Sequence, residues 1–188
     1  MSPAREELDG WGEMKARYFN SIMPAVNHQW AAEVLGMEIN SRKGPDLISD
    51  NFNMELKFSL TGKECLAEKY HIAWTVMEHQ TNYHSNGKEH FWGFGTYSLV
   101  KPVSKIRAKD NLESCVLERE LWIVLWNFID RYEKHDTRGK SKTTGVEWHN
   151  VLVYPKLKDL PDVIKSFEVE RGKIHFTEGM NFELLGFI

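Results

Sequence analysis

The stretch Gly44–Leu60, GPDLISDNFNMELKFSL, constrains the rest of the chain more than any other. From Phe52 the apolar residues alternate: Phe52, Met54, Leu56 and Phe58 point one way, while Asn53, Glu55 and Lys57 point the other. A period of two marks a half-buried strand. Asp46-Leu47-Ile48 reads as a second short strand, and Ser49-Asp50-Asn51 between them is turn chemistry. A hairpin centred on Asp50-Asn51 sets Asp46 directly opposite Glu55 on the polar face, with Lys57 two residues along it. A two-residue and a four-residue loop give this same register, whereas an odd loop breaks it.

Two carboxylates directly opposed across a ladder repel each other. Their placement there, backed by a fully apolar face, implies a cation between them. Both ligands are hard oxygens, which suit magnesium or manganese better than zinc. Lys57 is not a ligand in this reading. It sits where an ammonium can hold a phosphate or a water oxygen.

Pro45-Asp46 followed by Glu55-x-Lys57 resembles the PD-(D/E)xK nuclease superfamily, the fold of many restriction endonucleases and Holliday-junction resolvases; the residues up to Leu60 carry the likeness. The resemblance implies an α/β fold with a mixed central β-sheet flanked by helices, a restriction-endonuclease-like core. It also implies hydrolysis of phosphodiester bonds in DNA with Mg²⁺, and Mn²⁺ as a substitute. Asp46, Glu55 and the backbone carbonyl of Leu56 would then be the metal ligands, and Lys57 would orient or deprotonate the attacking water. Members often carry a further acidic residue on the helix before the hairpin; Glu33 is the candidate, against the alternative of a solvated surface glutamate. Gln80-Thr81-Asn82-Tyr83 is similar to the glutamine–tyrosine motif of the RecB-like branch, one residue short in spacing. A restriction-type endonuclease is the first expectation and a junction resolvase or other structure-selective nuclease the second. Cutting both strands implies a homodimer. Outside the enzyme class stand a non-catalytic nucleic-acid-binding domain on the same fold and a protein-interaction domain with an incidental motif.

A chain of 188 residues suits one well-buried core, so residues 1–188 are read as a single domain. Two cysteines, Cys65 and Cys115, make neither a disulfide framework nor a metal finger, which points to the reducing cytoplasm. No apolar run approaches membrane-spanning length, and the acidic N-terminus does not read as a signal peptide. The net charge of −3 requires any DNA-binding surface to concentrate its positive charge locally. Lys43 and Lys63 flank the hairpin; Lys105 and Arg107 belong to one basic cluster, Lys140 and Lys142 to another. These six are the candidate phosphate contacts, with a solvated face as the competing meaning.

Taken in order, residues 1–12 read as a polar lead-in discouraged from helix by Gly10 and Gly12. Tyr18, Ile22, Val26, Trp30 and Val34 recur every four, so a helix is expected from about Ser21, with Pro24 in its first turn and Gly36 as its stop. Met37–Asn40 is a first strand. Glu64–Tyr83 reads as a helix and His90–Val100 as a strand in which Gly93 and Gly95 mark a bulge or close approach. The run Leu121–Trp126 reads as a strand buried on both faces, with a helix after it; one buried helix over Leu112–Tyr132 is the competitor. Arg138–Gly145 is a loop by composition and not a phosphate-binding P-loop. Glu147–Tyr154 is a strand, Lys158–Phe167 a short helix, and Lys173–Thr177 with Asn181–Phe187 a terminal pair of strands. His79, His84 and His90 have no ligand-pair spacing for zinc.

Overall fold

The alternation at Phe52–Leu60 places a strand at the centre of the protein, and the other elements assemble around it. The computed structural model describes residues 4–61, 72–81, 87–107 and 109–180, with side chains from Tyr18 onward. Helix α1 spans Ala4–Leu35, followed by β1 (Glu38–Ile39), β2 (Leu47–Ile48) and β3 (Phe52–Leu60). Then come β4 (Val76–Met77), α2 (Glu78–Thr81), β5 (Glu89–Leu99), α3 (Leu112–Cys115) and β6 (Val116–Leu125). The chain continues through a 3₁₀ segment, Trp126–Arg131, to β7 (His135–Lys140), β8 (Glu147–Val153), β9 (Val163–Val169) and β10 (Gly172–Thr177). A seven-stranded sheet runs β1-β2-β3-β5-β6-β10-β9, and a three-stranded one runs β4-β8-β7. The pairs β3–β5 and β6–β10 are parallel and the others antiparallel, so the large sheet is mixed, as expected of an α/β chain. No helix among the described residues is long and apolar enough to cross a membrane.

One face of the large sheet receives α1. Trp30, Ala31 and Leu35 pack on Met54, Leu56, Leu121, Ile123 and Ile174. The other face is covered chiefly by the small sheet and the Trp126–Arg131 segment, through Trp74, Trp92, Phe94, Trp122, Val124 and Phe128. The sheet is thus flanked by a helix on one side and a second sheet on the other. The expectation is of a sheet flanked by helices; among the described residues the second face is covered chiefly by strands and the 3₁₀ segment. Inside the first layer β6 buries Arg119 completely. Its Nε donates to Asn27 Oδ1 (2.9 Å), its two terminal nitrogens donate to Glu113 (2.8 and 2.6 Å), and it lies 5.2 Å from the Trp30 ring.

Gly93 and Gly95 are the close approach that their positions in β5 suggest. A Cβ on Gly95 would stand 2.2 Å from the Phe58 ring, and one on Gly93 would stand 2.5 Å from Leu56 Cδ2. The apolar side of β3 therefore leans across bare backbone of its parallel neighbour. Gly95→Ala is expected to destabilise the protein by about 1–3 kcal/mol through overpacking, measured as a lowered midpoint of denaturant unfolding.

Five local expectations change. α1 begins at Ala4 instead of near Ser21 and holds Pro24 in its interior; buried Phe19, Met23, Asn27 and Trp30 anchor it there, and such packing outweighs the local cost of glycine and proline. Residues 72–77 are extended, not helical: Ile72, Trp74 and Val76 are buried between exposed neighbours, a period of two. Arg138, Gly139 and Lys140 are the end of β7, which registers with β8 from His135 opposite Leu152 to Lys140 opposite Glu147, and the rest of Arg138–Gly145 is the expected loop, as the turn between the two strands. The expected helix at Lys158–Phe167 is a 3₁₀ turn, Leu157–Asp159, and then β9. Between them stands Pro161, and the residue before a proline is pushed out of the helical region. Leu112–Tyr132 resolves into α3, β6 and the 3₁₀ segment, with the expected buried strand at its centre. The first part of the expected Glu64–Tyr83 helix and the Asn181–Phe187 strand lie outside the described residues.

Candidate functional site

The hairpin has the register that its turn residues dictate: Leu47 pairs with Met54 and Ile48 with Asn53. Continuing it by one residue sets Asp46 against Glu55. The ladder ends there for a chemical reason. The next residue back, Pro45, has no N–H to donate to β3, and its carbonyl is taken by Asn40 Nδ2 at 2.9 Å. The Leu56 N–H is picked up instead by the side chain of Asp46, 2.8 Å from Oδ2. In a strand the N–H and C=O of one residue point to the same edge. The Leu56 carbonyl therefore faces the same opening as its N–H.

That opening is a cleft of about 380 Å³ lined by Asp46, Glu55, Leu56 and Lys57 from the hairpin, Asn20, Asn27 and His28 from α1, and Gln80 from α2. Glu55 is buried there, with its side chain 3% exposed. Its Oε1 accepts hydrogen bonds from Lys57 Nζ (2.8 Å) and Gln80 Nε2 (2.6 Å). Its Oε2 is buried and has no hydrogen-bond partner among the described residues. Burial pushes the Glu55 carboxyl up to about 7; Lys57 opposes the rise and the charge of Asp46 adds to it. His28 Nδ1 stands 3.7 Å from Asp46 Oδ1. Burial lowers its pKa, Asp46 works against that, and Lys57 works with it. The net lowering favours the neutral imidazole. Pro24 also lines the cleft and cannot donate to the carbonyl of Asn20, four residues earlier.

Asp46, Glu55, Leu56 and Lys57 thus meet in one place. Glu33 does not join them. It lies five residues beyond His28 on α1, on another face of the helix, and lines a separate cleft with Tyr18, Trp30 and Glu113. There its Oε1 accepts a hydrogen bond from Gln29 Nε2 at 2.7 Å. Glu33→Gln should leave the metal dependence of any activity unchanged, as a metal titration of the variant beside the parent would record. Lys43, Lys105, Arg107, Lys140 and Lys142 are exposed and line no part of the cleft; Lys63 lies outside the described residues.

His28 and Gln80 are the residues that pattern reasoning passed over as site members. Gln80 had a signal in its four-residue stretch with Tyr83. His28 had a subtler one: Asn20, Asn27 and His28 put polar groups on one side of a helix read only for its apolar positions.

Among the described residues no three His, Cys, Asp or Glu side chains converge to hold a metal. Two carboxylates and a carbonyl do share the cleft, and Mg²⁺ commonly takes one or two carboxylates and keeps several waters. The unpartnered Oε2 and the hard-oxygen donor set fit such an ion. Compared with known proteins, the sequence matches no family model and no curated protein.

Proposed function

We propose that the protein is a metal-dependent endonuclease of restriction type that hydrolyses phosphodiester bonds of DNA in the cleft around Asp46, Glu55 and Lys57. One observation supports this reading: a carboxylate oxygen, Glu55 Oε2, is buried beside a second carboxylate and has no hydrogen-bond partner among the described residues. An ionised oxygen left so is costly, and a bound cation removes the cost. Asp46, Glu55 and the Leu56 carbonyl would hold Mg²⁺, or Mn²⁺ in its place, which when bound supplies a water of lowered pKa and neutralises charge on the phosphate.

The chain's own groups divide the remaining work. Lys57 holds Glu55 Oε1 at 2.8 Å, which favours the ionised carboxylate, and presents an ammonium to a phosphate oxygen. Gln80 grips the same Oε1 and so fixes the rotation of the carboxylate, with Oε2 left for the ion. A neutral His28 leaves the charge of Asp46 uncompensated and available to a cation. The exposed Lys43, Lys105, Arg107, Lys140 and Lys142 would meet DNA phosphate away from the reacting centre.

Supercoiled, linear and branched DNA incubated with the protein and Mg²⁺, with EDTA as control and product ends mapped, tests the proposal. Metal-dependent strand scission is expected, and preference among the three substrates separates a restriction-type from a junction-selective enzyme. Intact DNA with both Mg²⁺ and Mn²⁺ would remove the catalytic reading.

A further inference from the structure

β7 and β8 form an antiparallel ribbon rooted at one end only. At its base β8 pairs with β4 through Leu152 and Val153. At its far end residues 142 to 149 are all exposed. The turn there is held by its own groups. The Ser141 N–H donates to the Val146 carbonyl and the Gly145 N–H to the Ser141 carbonyl, both at 2.9 Å. Ser141 Oγ accepts the Thr144 N–H (3.1 Å) and Thr144 Oγ1 the Val146 N–H (3.3 Å). Across the ribbon Gly139 stands opposite Trp148. A Cβ on Gly139 would lie 2.3 Å from Cζ2 of that indole, 2.6 Å from Cε2 and 3.0 Å from Cη2. Distances that rise so slowly over three consecutive ring atoms put the face of the ring, not its edge, on the glycine. Trp148 is nonetheless 46% exposed, whereas Trp30, Trp74, Trp92 and Trp122 are buried. One face of the indole is thus seated on bare backbone and the other is open.

Trp148 and Gly139 line an open cleft of about 660 Å³ together with Arg138, Lys140, Glu147 and His149. His149 is paired with Asp136 at 3.1 Å, while Arg138, Lys140 and Lys142 have no ion-pair partner among the described residues. From Arg138 to His149 these three cations face a single carboxylate, Glu147. We propose that the ribbon binds DNA at an unpaired base, which stacks on the open face of Trp148 while Arg138, Lys140 and Lys142 meet the adjoining phosphates. The proposal rests on the nuclease reading for the ligand's being DNA, and it adds the form of that DNA. Inside a duplex both faces of a base are covered by its neighbours. An indole face therefore finds a partner only where a base is single-stranded, terminal or turned out of the stack. Because Gly139 already holds the ring in place, little rotamer freedom is lost on binding. The ribbon also shares its small sheet with β4, which leads directly into α2 and so to Gln80 in the cleft of Asp46 and Glu55.

The test is run in EDTA, so that binding is read without cleavage. Fluorescence anisotropy should show a labelled single-stranded oligonucleotide bound more tightly than the same sequence fully paired. Trp148→Leu keeps an apolar cover on Gly139 but has no ring. It should lose roughly 5–150-fold in single-strand affinity, the loss of one stacked base, with duplex affinity unchanged. Trp148→Tyr should keep most of the single-strand affinity. Replacing Arg138, Lys140 and Lys142 together with Ala should weaken both forms and flatten the salt dependence. Where Trp148→Leu does not fold, the parent alone decides: a single strand carrying 5-iodouracil, irradiated with the parent, should cross-link to Trp148 on peptide mapping. Equal affinity for single and paired strands, a Trp148→Leu protein that binds like the parent, or a cross-link on another residue would overturn the proposal. Metal-dependent scission is read separately. Stacking without scission removes the nuclease reading and keeps the ribbon's role, and scission without stacking does the reverse.

Discussion

Asp46→Asn should lower DNA cleavage by roughly 10³-fold, about 4 kcal/mol of barrier, while the metal-free protein remains as stable as the parent. The asparagine oxygen can still accept the Leu56 N–H that Asp46 Oδ2 accepts at 2.8 Å, so the end of the hairpin stays capped. The like-charge pressure on Glu55 disappears, which is worth about 0.2–1 kcal/mol for an opposed pair. What is lost is one of the two charged oxygens proposed to hold the metal. The parent should therefore melt at a higher temperature when Mg²⁺ or Mn²⁺ is added, because only the folded hairpin assembles the site. The variant should respond far less. Lys57→Ala should lose cleavage yet keep most of the metal-induced stabilisation, since the lysine holds Glu55 Oε1 and leaves Oε2 alone. Melts of the three proteins with and without metal decide the matter. A parent that ignores metal, or an Asp46→Asn protein that still cuts, would mean the site is misassigned.

The second large effect is on stability against pH. The carboxyl of Glu55 is pushed from an ordinary 4.5 up to about 7, first by burial and then by the charge of Asp46, with Lys57 opposing. A carboxyl whose pKa is higher in the folded state binds its proton more tightly there. Its contribution to stability is present in full below about 4.5 and is lost as the pH rises through about 7. The difference corresponds to about 3 kcal/mol. Urea unfolding in EDTA should thus show the metal-free parent weakening across this window relative to Glu55→Gln, which has no proton to lose. Added metal should oppose the loss, and metal should bind more weakly on acidification as the proton competes for Glu55. Parallel pH curves for parent and variant would show that Glu55 ionises normally.

Much of this cleft was legible before any coordinates because its parts are close in sequence. Alternation over Phe52–Leu60 and a turn at Ser49-Asp50-Asn51 are local facts, and they set Asp46 and Glu55 together. The mixed sheet was legible too, from the order of helices, hairpin and strands along the chain. The rest depended on distant partners. α1 runs unbroken from Ala4 through Pro24 because its buried residues grip the sheet and α3. Residues 72–77 were read as helix because Leu66, Tyr70, Trp74 (or Ala73) and Met77 fit a helical stripe, whereas the buried residues of the segment are Ile72, Trp74 and Val76, a period of two. The small sheet exists through pairings such as Val76 with Val153, which no local window contains. Glu33 was chosen by its place on the helix before the hairpin, but the rotation of α1 brings His28 and not Glu33 to the cleft.

The buried guanidinium of Arg119 has a consequence for how this sequence can change over generations. It ties Asn27, which lines the cleft beside Asp46, to Glu113, which lines the cleft on the far side of α1. Removing Glu113 would leave the fully buried guanidinium without its charge partner, a destabilising loss, whereas replacing the whole group with apolar residues of similar volume can be neutral. Positions 27, 113 and 119 should therefore drift together or stay fixed together. Among descendants of this chain, a lineage that has lost the arginine is expected to have lost the glutamate as well, and to have filled the space between the two clefts with hydrocarbon.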